Sequence, residues 1–248
     1  MKLDPAAATA GVRVISYDTI ASTNAEALEL ARSGEHGPLW VTAKTQTAGR
    51  GRRGGTWVSE PGNLYASLVL SDPSPPDRRA ELSFVAALAL HDAIGARIPG
   101  VASRLALKWP NDLLIDGCKF AGILIEGEGD AVVIGIGVNC THHPVWTDFP
   151  ATDLASAGLR ASPEKVFEAL SGAMAKRIGQ WDRGSGFSAI RADWLKRAAS
   201  LGHDIKVVVT EGTRIGRFES VDDRGCLVLR LANGAAETIA AGDVLLGH

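Results

Sequence analysis

The chain has 248 residues, and its 26 basic side chains against 28 acidic ones give a net charge of −2. This balance excludes an overall field that would draw the chain to nucleic acid or to an anionic membrane. No apolar run approaches the roughly 20 residues that span a bilayer, and Asp4 stands in a start that lacks the basic-then-apolar order of a secretion signal. Three widely spaced cysteines without a CxxC pair indicate neither disulfides nor zinc, so Cys118, Cys140 and Cys226 are predicted to be small buried hydrophobes. We expect a cytoplasmic protein with neither a nucleic-acid nor a membrane partner.

The first half of the chain predicts two helices and two strands. The stretch STNAEALELARSGEHG is typical of a helix, because Thr23 and Glu26 form a capping box and Gly34 stands at the stop position. LWVTA and LYASLVL have the composition of strands. ELSFVAALALHDAIGARI is apolar enough for a helix that covers one face of a sheet. Only about twenty residues precede the first helix, so no helix-turn-helix is expected ahead of it.

Three more strand candidates follow, and the last is expected at the centre of the sheet. Leu105–Trp109 is a short one, and DLLIDGCKFAGILIE predicts a hairpin that turns at Asp116-Gly117. AVVIGIGVN is apolar throughout, as a central strand is. Helical spacing returns from Pro163 to Trp194.

The character of the sequence changes at about Leu201. Short β-rich runs are broken by Glu211-Gly212, Arg224-Gly225 and Asn233-Gly234, which are turn signals between strands of a small barrel. We therefore predict two domains, residues 1–200 and 201–248.

The segment TQTAGRGRRGGTW, from Thr45 to Trp57, is predicted to be a loop between two strands. Composition alone would also allow a disordered RNA-binding segment, but a loop held at both ends by strands argues against it. Backbone N–H groups beside Arg50, Arg52 and Arg53 suit an anion, and three neighbouring arginines need negative charge to offset their repulsion. The loop is thus predicted to bind an anionic ligand.

Four segments are expected to converge on one pocket, although each has a simpler structural explanation when it is taken alone. They are STN at a helix start, the glycine-arginine loop, KWPND with KFAGILIE, and GIGVN. Taken together, GRGRRG..W, GNLY.S, KWPNDL, K.AGIL.E and GIGVN resemble the biotin protein ligase family in order and spacing. The resemblance runs from about Ser16 to the C-terminus. Within the family, the chain resembles the short class without a DNA-binding domain.

The resemblance implies a fold and a reaction. The fold would be α+β, with a mixed, mostly antiparallel sheet flanked by helices and a small C-terminal SH3-like β-barrel. The reaction would be ATP-dependent activation of biotin as biotinyl-5'-AMP, followed by transfer to a lysine of a biotin carboxyl carrier protein. ATP and Mg²⁺ would take part, with the metal held by phosphate oxygens and water and by no protein metal site. A homodimer formed through sheet edges is a further expectation.

The family's biotin contacts match short polar residues, which suit a neutral ureido ring, together with the loop and a lysine. The predicted biotin-binding residues are Ser22, Thr23, Asn24, Gln46, Arg50, Gly51, Arg52 and Lys119. The predicted nucleotide-binding residues are Arg52, Trp57, Asn111, Lys119 and Asn139, with Trp57 stacked on adenine, Asn139 at the base edge and Asn111 helping to orient the metal.

The predicted catalytic residues are Lys119, Arg52, Asp112 and Lys108. Lys119 and Arg52 would stabilise the charge on the phosphoryl group. Asp112 would orient the attacking lysine or accept its proton, and Lys108 could lower the pKa of that amine; the residues leave these roles open. Gly55 departs from the family, which usually has a basic residue there. Two explanations are open for this glycine. It could adopt a positive φ that the loop requires, or the loop could simply lack one cationic contact to the adenylate phosphate.

Two rival functions remain. A lipoate or octanoate transferase shares the expected architecture, but Thr23, Asn24 and Gln46 favour a ureido ring over an apolar dithiolane. A ligand-sensing module without chemistry would not need this full set of charged residues.

Overall fold

The fold described here is that of a computed structural model, which describes residues 1–98, 100–145, 147 and 149–246. Seven strands form the larger sheet in the order β1-β2-β3-β7-β6-β5-β4. The first pair, β1 with β2, is parallel and the other neighbours are antiparallel. The strands are β1 Arg13–Ile20, β2 Leu39–Gln46, β3 Leu64–Ser71, β4 Leu105–Lys108, β5 Asp112–Ile115, β6 Cys118–Glu128 and β7 Ala131–Val138.

Five helices accompany this sheet, and they divide between its two faces. Alternation along the strands separates the faces, so that Trp40 and Ile134 join the large core while Val41 and Val133 join a smaller one. The large core also receives the apolar sides of α3, α4 and α5, whereas α2 covers part of the opposite face. The helices are α1 Pro5–Thr9, α2 Thr23–Arg32, α3 Leu82–Arg97, α4 Pro163–Trp181 and α5 Phe187–Leu195. The α2 face is the one that carries the site.

The C-terminal part forms a second sheet of five antiparallel strands in the order β11-β10-β9-β8-β12. Its apolar side continues the large core, with the Phe218 ring centroid 6.5 Å from that of Trp194. Gly212, Gly225 and Gly234 all have positive φ, as the predicted turns require. The strands are β8 Asp204–Val209, β9 Gly212–Val221, β10 Leu227–Arg230, β11 Ala236–Ile239 and β12 Asp243–Leu246.

The predicted α+β class is confirmed, and so is the central place of AVVIGIGV, which is the fourth of seven strands. The predicted hairpin turn is also confirmed, since Asp116 has φ 48° and Gly117 has φ 81°. The last two residues of the predicted second domain, Gly247 and His248, lie outside the described residues. Within the described residues, no helix combines the length and the apolar character that crossing a bilayer requires.

Three local predictions were wrong or incomplete. The cap of α2 is Ser22, whose Oγ accepts from the amide of Ala25, because the helix begins at Thr23. Strand β1, an edge strand on which five of the eight side chains are exposed, was not predicted. Of the cysteines, only Cys140 is fully buried, and burial raises the pKa of its thiol to about 12.

Candidate active site

A cavity of about 270 Å³ lies on the α2 face of the large sheet, over β6 and β7. The start of α2, the glycine-arginine loop (residues 45–57) and the edge of the second sheet enclose it. Apart from Lys108 and Asn139, the structure brings the predicted site residues together in the wall of this cavity. These are Ser22, Thr23, Asn24, Gln46, Arg50, Gly51, Arg52, Trp57, Asn111, Asp112 and Lys119.

Glycines on β6 and β7 form the floor of the cavity. Gly122 and Gly137 are register partners, and the indole ring of Trp57 lies against both. A Cβ at Gly137 would stand 2.5 Å from Trp57 Cε2, and one at Gly135 would stand 2.1 Å from Asn24 Oδ1. Such distances are far below van der Waals contact. The glycines of the GIGVN motif are therefore needed for close approach of side chains and not for unusual φ angles.

The polar end of the cavity is built from the first turn of α2 and the end of β2. Gln46 Oε1 accepts from the amide of Thr23 at 2.7 Å and from Thr23 Oγ1 at 3.1 Å. Gln46 Nε2 donates to Ser59 Oγ at 2.9 Å. Because Gln46 uses both ends of its amide within the protein, it fixes Thr23 at the cavity wall.

Two further residues hold this polar end, and sequence reasoning assigned no role to either. Ser67 on β3 is fully buried, with its Oγ 2.8 Å from Thr23 Oγ1 and 2.6 Å from Asn24 Oδ1. Glu126 on β6 accepts from Asn24 Nδ2 at 2.7 Å. Both stand in the quoted motifs, and a serine in the middle of an otherwise apolar strand was the available signal for Ser67.

A buried carboxylate stands between two lysines at the middle of the site. The hairpin of β4 and β5 pairs Lys108 with Asp112, and Lys108 Nζ donates to Asp112 Oδ2 at 2.9 Å. Lys119 Nζ lies 2.6 Å from Asp112 Oδ1. Burial works to raise the pKa of Asp112, but the charges of Lys119 and Lys108 outweigh it and hold that pKa below its ordinary value. Asp112 is therefore a carboxylate at neutral pH, and Lys108, which stands outside the cavity lining, acts on the site through it.

The second sheet reaches the glycine-arginine loop through Asp243 on β12. Its Oδ1 lies 3.0 Å from Arg52 Nη1, and its Oδ2 lies 2.6 Å from Arg53 Nη1. Arg52 Nη1 also lies 3.4 Å from Asn111 Oδ1, which connects the loop to the β4–β5 turn. Sequence reasoning missed Asp243, because nothing local marks a contact between residues 190 positions apart.

Two expectations about the loop are corrected by its geometry. Its arginines do not need a ligand to offset their repulsion, because Arg50 pairs with Glu126 while Arg52 and Arg53 pair with Asp243. Gly55 does not occupy a positive φ, since its φ is −63° and its ψ is 149°. The left-handed positions are Arg53 at φ 51° and Gly54 at φ 75°. The φ and ψ of Gly55 are thus open to other residues, although a Cβ there would lie 3.2 Å from the carbonyl oxygen of Arg52, which would have to shift slightly.

Asn139 lies outside the first cavity and lines a second one of about 330 Å³. Its Nδ2 donates to the carbonyl of Thr152 at 3.1 Å, and Val58 and His143 are among the other lining residues. Trp57 and Gly137 line the first cavity, whereas Val58 and Asn139, which are close to them in sequence, line the second. The structure therefore separates the two residues predicted to contact adenine.

The carboxylates of the first cavity do not fit a protein-held magnesium ion. Asp112 is paired with two lysines and Asp243 with two arginines. Within the described ranges, no three His, Cys, Asp or Glu side chains form a group that could hold a metal ion. Any Mg²⁺ that accompanies ATP would need phosphate oxygens and water as ligands.

Comparison with known proteins agrees with this geometry. Residues 17–139 match the biotin/lipoate A/B protein ligase family, and residues 201–247 match the biotin protein ligase C-terminal domain. The chain is 44% identical to the biotin–[acetyl-CoA-carboxylase] ligase of Paracoccus denitrificans, over 91% of this chain and 97% of that protein. It is 33% identical to the bifunctional ligase/repressor of Bacillus subtilis, over 96% of this chain and 75% of that protein.

Among solved structures, the biotin protein ligase from Aquifex aeolicus in complex with biotin and ATP superimposes with a TM-score of 0.81. That match covers 94% of this chain and 97% of the other. Because the two chains are only 24% identical, the match shows the fold alone. The matched family models and the sequence relatives show that this chain is a ligase. The chain belongs to the biotin protein ligase family.

Proposed function

We propose that this chain activates biotin with ATP to form biotinyl-5'-AMP and then transfers the biotinyl group to a lysine of a biotin carboxyl carrier protein. The observation that carries the proposal is that one cavity is lined by neutral polar residues, by glycines and by the cations Lys119 and Arg52. Relatives named for this reaction at up to 44% identity support it. A matching biotin protein ligase C-terminal domain favours it over a lipoate transferase.

In the first step, a carboxylate oxygen of biotin attacks the α-phosphorus of ATP. The bond from that phosphorus to the bridging oxygen breaks, and pyrophosphate leaves with the electron pair. Lys119 and Arg52 are proposed to lower the repulsion between the two anions and to stabilise the charge on the transferring group. The 28% exposure of the Lys119 side chain leaves its ammonium accessible to a ligand while Asp112 holds it.

The polar end of the cavity is proposed to bind the ureido ring. Ser22, Thr23 and Asn24 offer hydroxyl and amide groups without charge, which suit a neutral ring with donors and an acceptor. Gln46 and Ser67, which are both uncharged, hold Thr23 and Asn24 in place. The aliphatic chain of biotin would then lie over Gly122 and Gly137.

The nucleotide base is proposed to occupy the second cavity beside Asn139. This assignment keeps the predicted role of Asn139 and leaves the α-phosphate in the first cavity, close to Lys119 and Arg52. Stacking of Trp57 on adenine remains a prediction. It requires the ring to turn from the glycine floor toward the second cavity, as Gly51 and the rest of the loop adjust to the ligand.

In the second step, the neutral amine of a carrier lysine attacks the carbonyl carbon of biotinyl-AMP. The bond from that carbon to the phosphate oxygen breaks, AMP leaves, and the amine loses a proton. Because the lysines lower the pKa of Asp112, its carboxylate is a weak base at neutral pH. We therefore propose that Asp112 orients the incoming amine and that solvent takes the proton, with Lys108 disfavouring a charged amine nearby.

The remaining expectations are proposals of the same kind. They are a division into domains 1–200 and 201–248, a homodimer, a cytoplasmic location, Mg²⁺ bound with ATP, and no nucleic-acid or membrane partner. The net charge of −2 supports the last of these.

The proposal is tested by mixing the protein with Mg-ATP and either biotin or lipoate. Pyrophosphate release and acyl-AMP, detected by mass spectrometry, are expected in the mixture with biotin and not in the mixture with lipoate. Acyl-AMP formed equally well from lipoate would contradict the substrate assignment. Release of no pyrophosphate with either acid would favour a ligand-sensing module.

A further inference from the structure

Glu126 stands outside the lining of the first cavity and contacts two residues of its wall at once. Its Oε2 accepts from Asn24 Nδ2 at 2.7 Å and from Arg50 Nη2 at 2.9 Å. Asn24 belongs to the first turn of α2, and Arg50 belongs to the glycine-arginine loop. A single carboxylate oxygen therefore connects the polar end of the cavity to the loop that covers it.

The two contacts differ in how firmly their partners are held. Asn24 is 4% exposed, and Ser67 fixes the other end of its amide. The Arg50 side chain is 43% exposed. Glu126 itself lies in the interior of β6, which pairs with β7 through Glu126 and Val133. Glu126 is thus a fixed acceptor, and Arg50 is the partner that can separate from it.

We infer that Glu126 is a positioning residue that couples closure of the glycine-arginine loop to the polar end of the cavity. A ligand group that contacts the Asn24 amide acts on the acceptor that also holds Arg50. A closed loop, in turn, keeps the Asn24 amide oriented for the ligand. The inference rests on the proposed function for the identity of that ligand, but the coupling itself concerns only this chain.

The test compares Glu126→Gln with Glu128→Gln as a matched control. Glu128 lies two residues further along the same strand and face, where its Oε2 pairs with Arg32 at 2.9 Å and so lies apart from the loop. Arg50→Gln and the double variant with Glu126→Gln complete a double-mutant cycle. Thermal unfolding of all variants checks that their folds remain equally stable.

The first measurement is the rate at which trypsin cleaves after Arg52 and Arg53 in the ligand-free protein, followed by mass spectrometry. Glu126→Gln is expected to speed cleavage about two- to fivefold, the effect of losing a partly exposed ion pair. Glu128→Gln is expected to match the wild type. The double variant is expected to be cleaved no faster than the faster of the two single variants, because both remove the same contact.

The second measurement is the dissociation rate of biotinyl-AMP, which is expected to rise by a similar factor in Glu126→Gln and in Arg50→Gln and to stay at the wild-type value in Glu128→Gln. Equal loop cleavage in Glu126→Gln and Glu128→Gln would overturn the inference, and so would effects of Glu126 and Arg50 that simply add. A wild type that forms no biotinyl-AMP would refute the proposed function. The cleavage measurement would still decide the role of Glu126 in that case.

Discussion

Replacing Asp243 by asparagine is expected to loosen the hold of the second sheet on the glycine-arginine loop. Asp243 is the shared partner of Arg52 and Arg53, with contacts of 3.0 and 2.6 Å. Asparagine keeps the size of the side chain and can still accept one hydrogen bond, but it has no charge. The variant therefore removes two ion pairs while it leaves β12 and its pairing with β8 in place.

The magnitude follows from how exposed these pairs are. The side chains of Asp243 and Arg53 are 47% and 43% exposed, and that of Arg52 is 25% exposed. A pair with such access to water contributes about 0.2 to 1 kcal/mol. Two pairs then contribute roughly 0.5 to 2 kcal/mol, which corresponds to about a two- to thirtyfold change in an equilibrium constant. The smaller half of that range is expected, because both pairs share one carboxylate.

The assay is the dissociation rate of biotinyl-AMP formed in the active site, which is expected to rise by that factor in Asp243→Asn. Glu219→Gln is the matched control, since Glu219 pairs with Arg230 at 2.7 Å within the same sheet and does not contact the loop. A dissociation rate in Asp243→Asn equal to that of the control would refute the idea that the second sheet holds the loop closed.

Three other changes have distinct expected outcomes. Lys119→Gln is expected to slow adenylate formation about one hundred- to one thousandfold, the typical effect of removing one transition-state charge donor; near wild-type pyrophosphate release would contradict its role. Gly55→Arg is expected to slow release of biotinyl-AMP severalfold by adding a cation at a permitted backbone conformation, whereas Gly54→Arg, at φ 75°, is expected to strain the loop instead. Because the folded-state pKa of Asp112 is lowered, its stabilisation is present above its unfolded pKa of about 3.9 and is lost as pH falls through the lower folded value. The loss of stability in Asp112→Asn, measured by urea unfolding, should therefore be constant from about pH 7 to 5 and shrink only in stronger acid.

Elements with strong local signals could be predicted from the sequence. The α3 helix is apolar along its length, and it is buried along its length. The turn at Asp116-Gly117 needs two positive φ angles, which these two residue types tolerate. Strand β1 could not be found in this way. It pairs at the edge of the sheet, and although Val14, Ile15, Tyr17 and Ile20 favour a strand, they do not alternate regularly with its polar residues as in a half-buried strand.

The site was predictable only where short motifs bring their own residues together. The pairing of Lys108 with Asp112 follows from one tight hairpin, and the motif that contains it implies that contact. The contact of Asp243 with the loop follows instead from how the second sheet packs on the first, a relation between residues far apart in sequence. Ser67 shows the same limit, because its hydroxyl matters only after α2 has packed on β3.

The charges at the site explain why a closed loop and an anionic ligand are compatible. Lys108 and Lys119 share Asp112, Arg52 and Arg53 share Asp243, and Arg50 has Glu126 for itself. Five cations therefore face three carboxylates, and this cluster retains a surplus of two positive charges. The carboxylates orient the cations and keep the loop in place before any ligand arrives, while the surplus is left to attract one. A cluster with equal numbers of cations and carboxylates would hold the loop equally well. It would not, however, attract the two anionic groups, a carboxylate and a phosphate, that have to approach each other in the site.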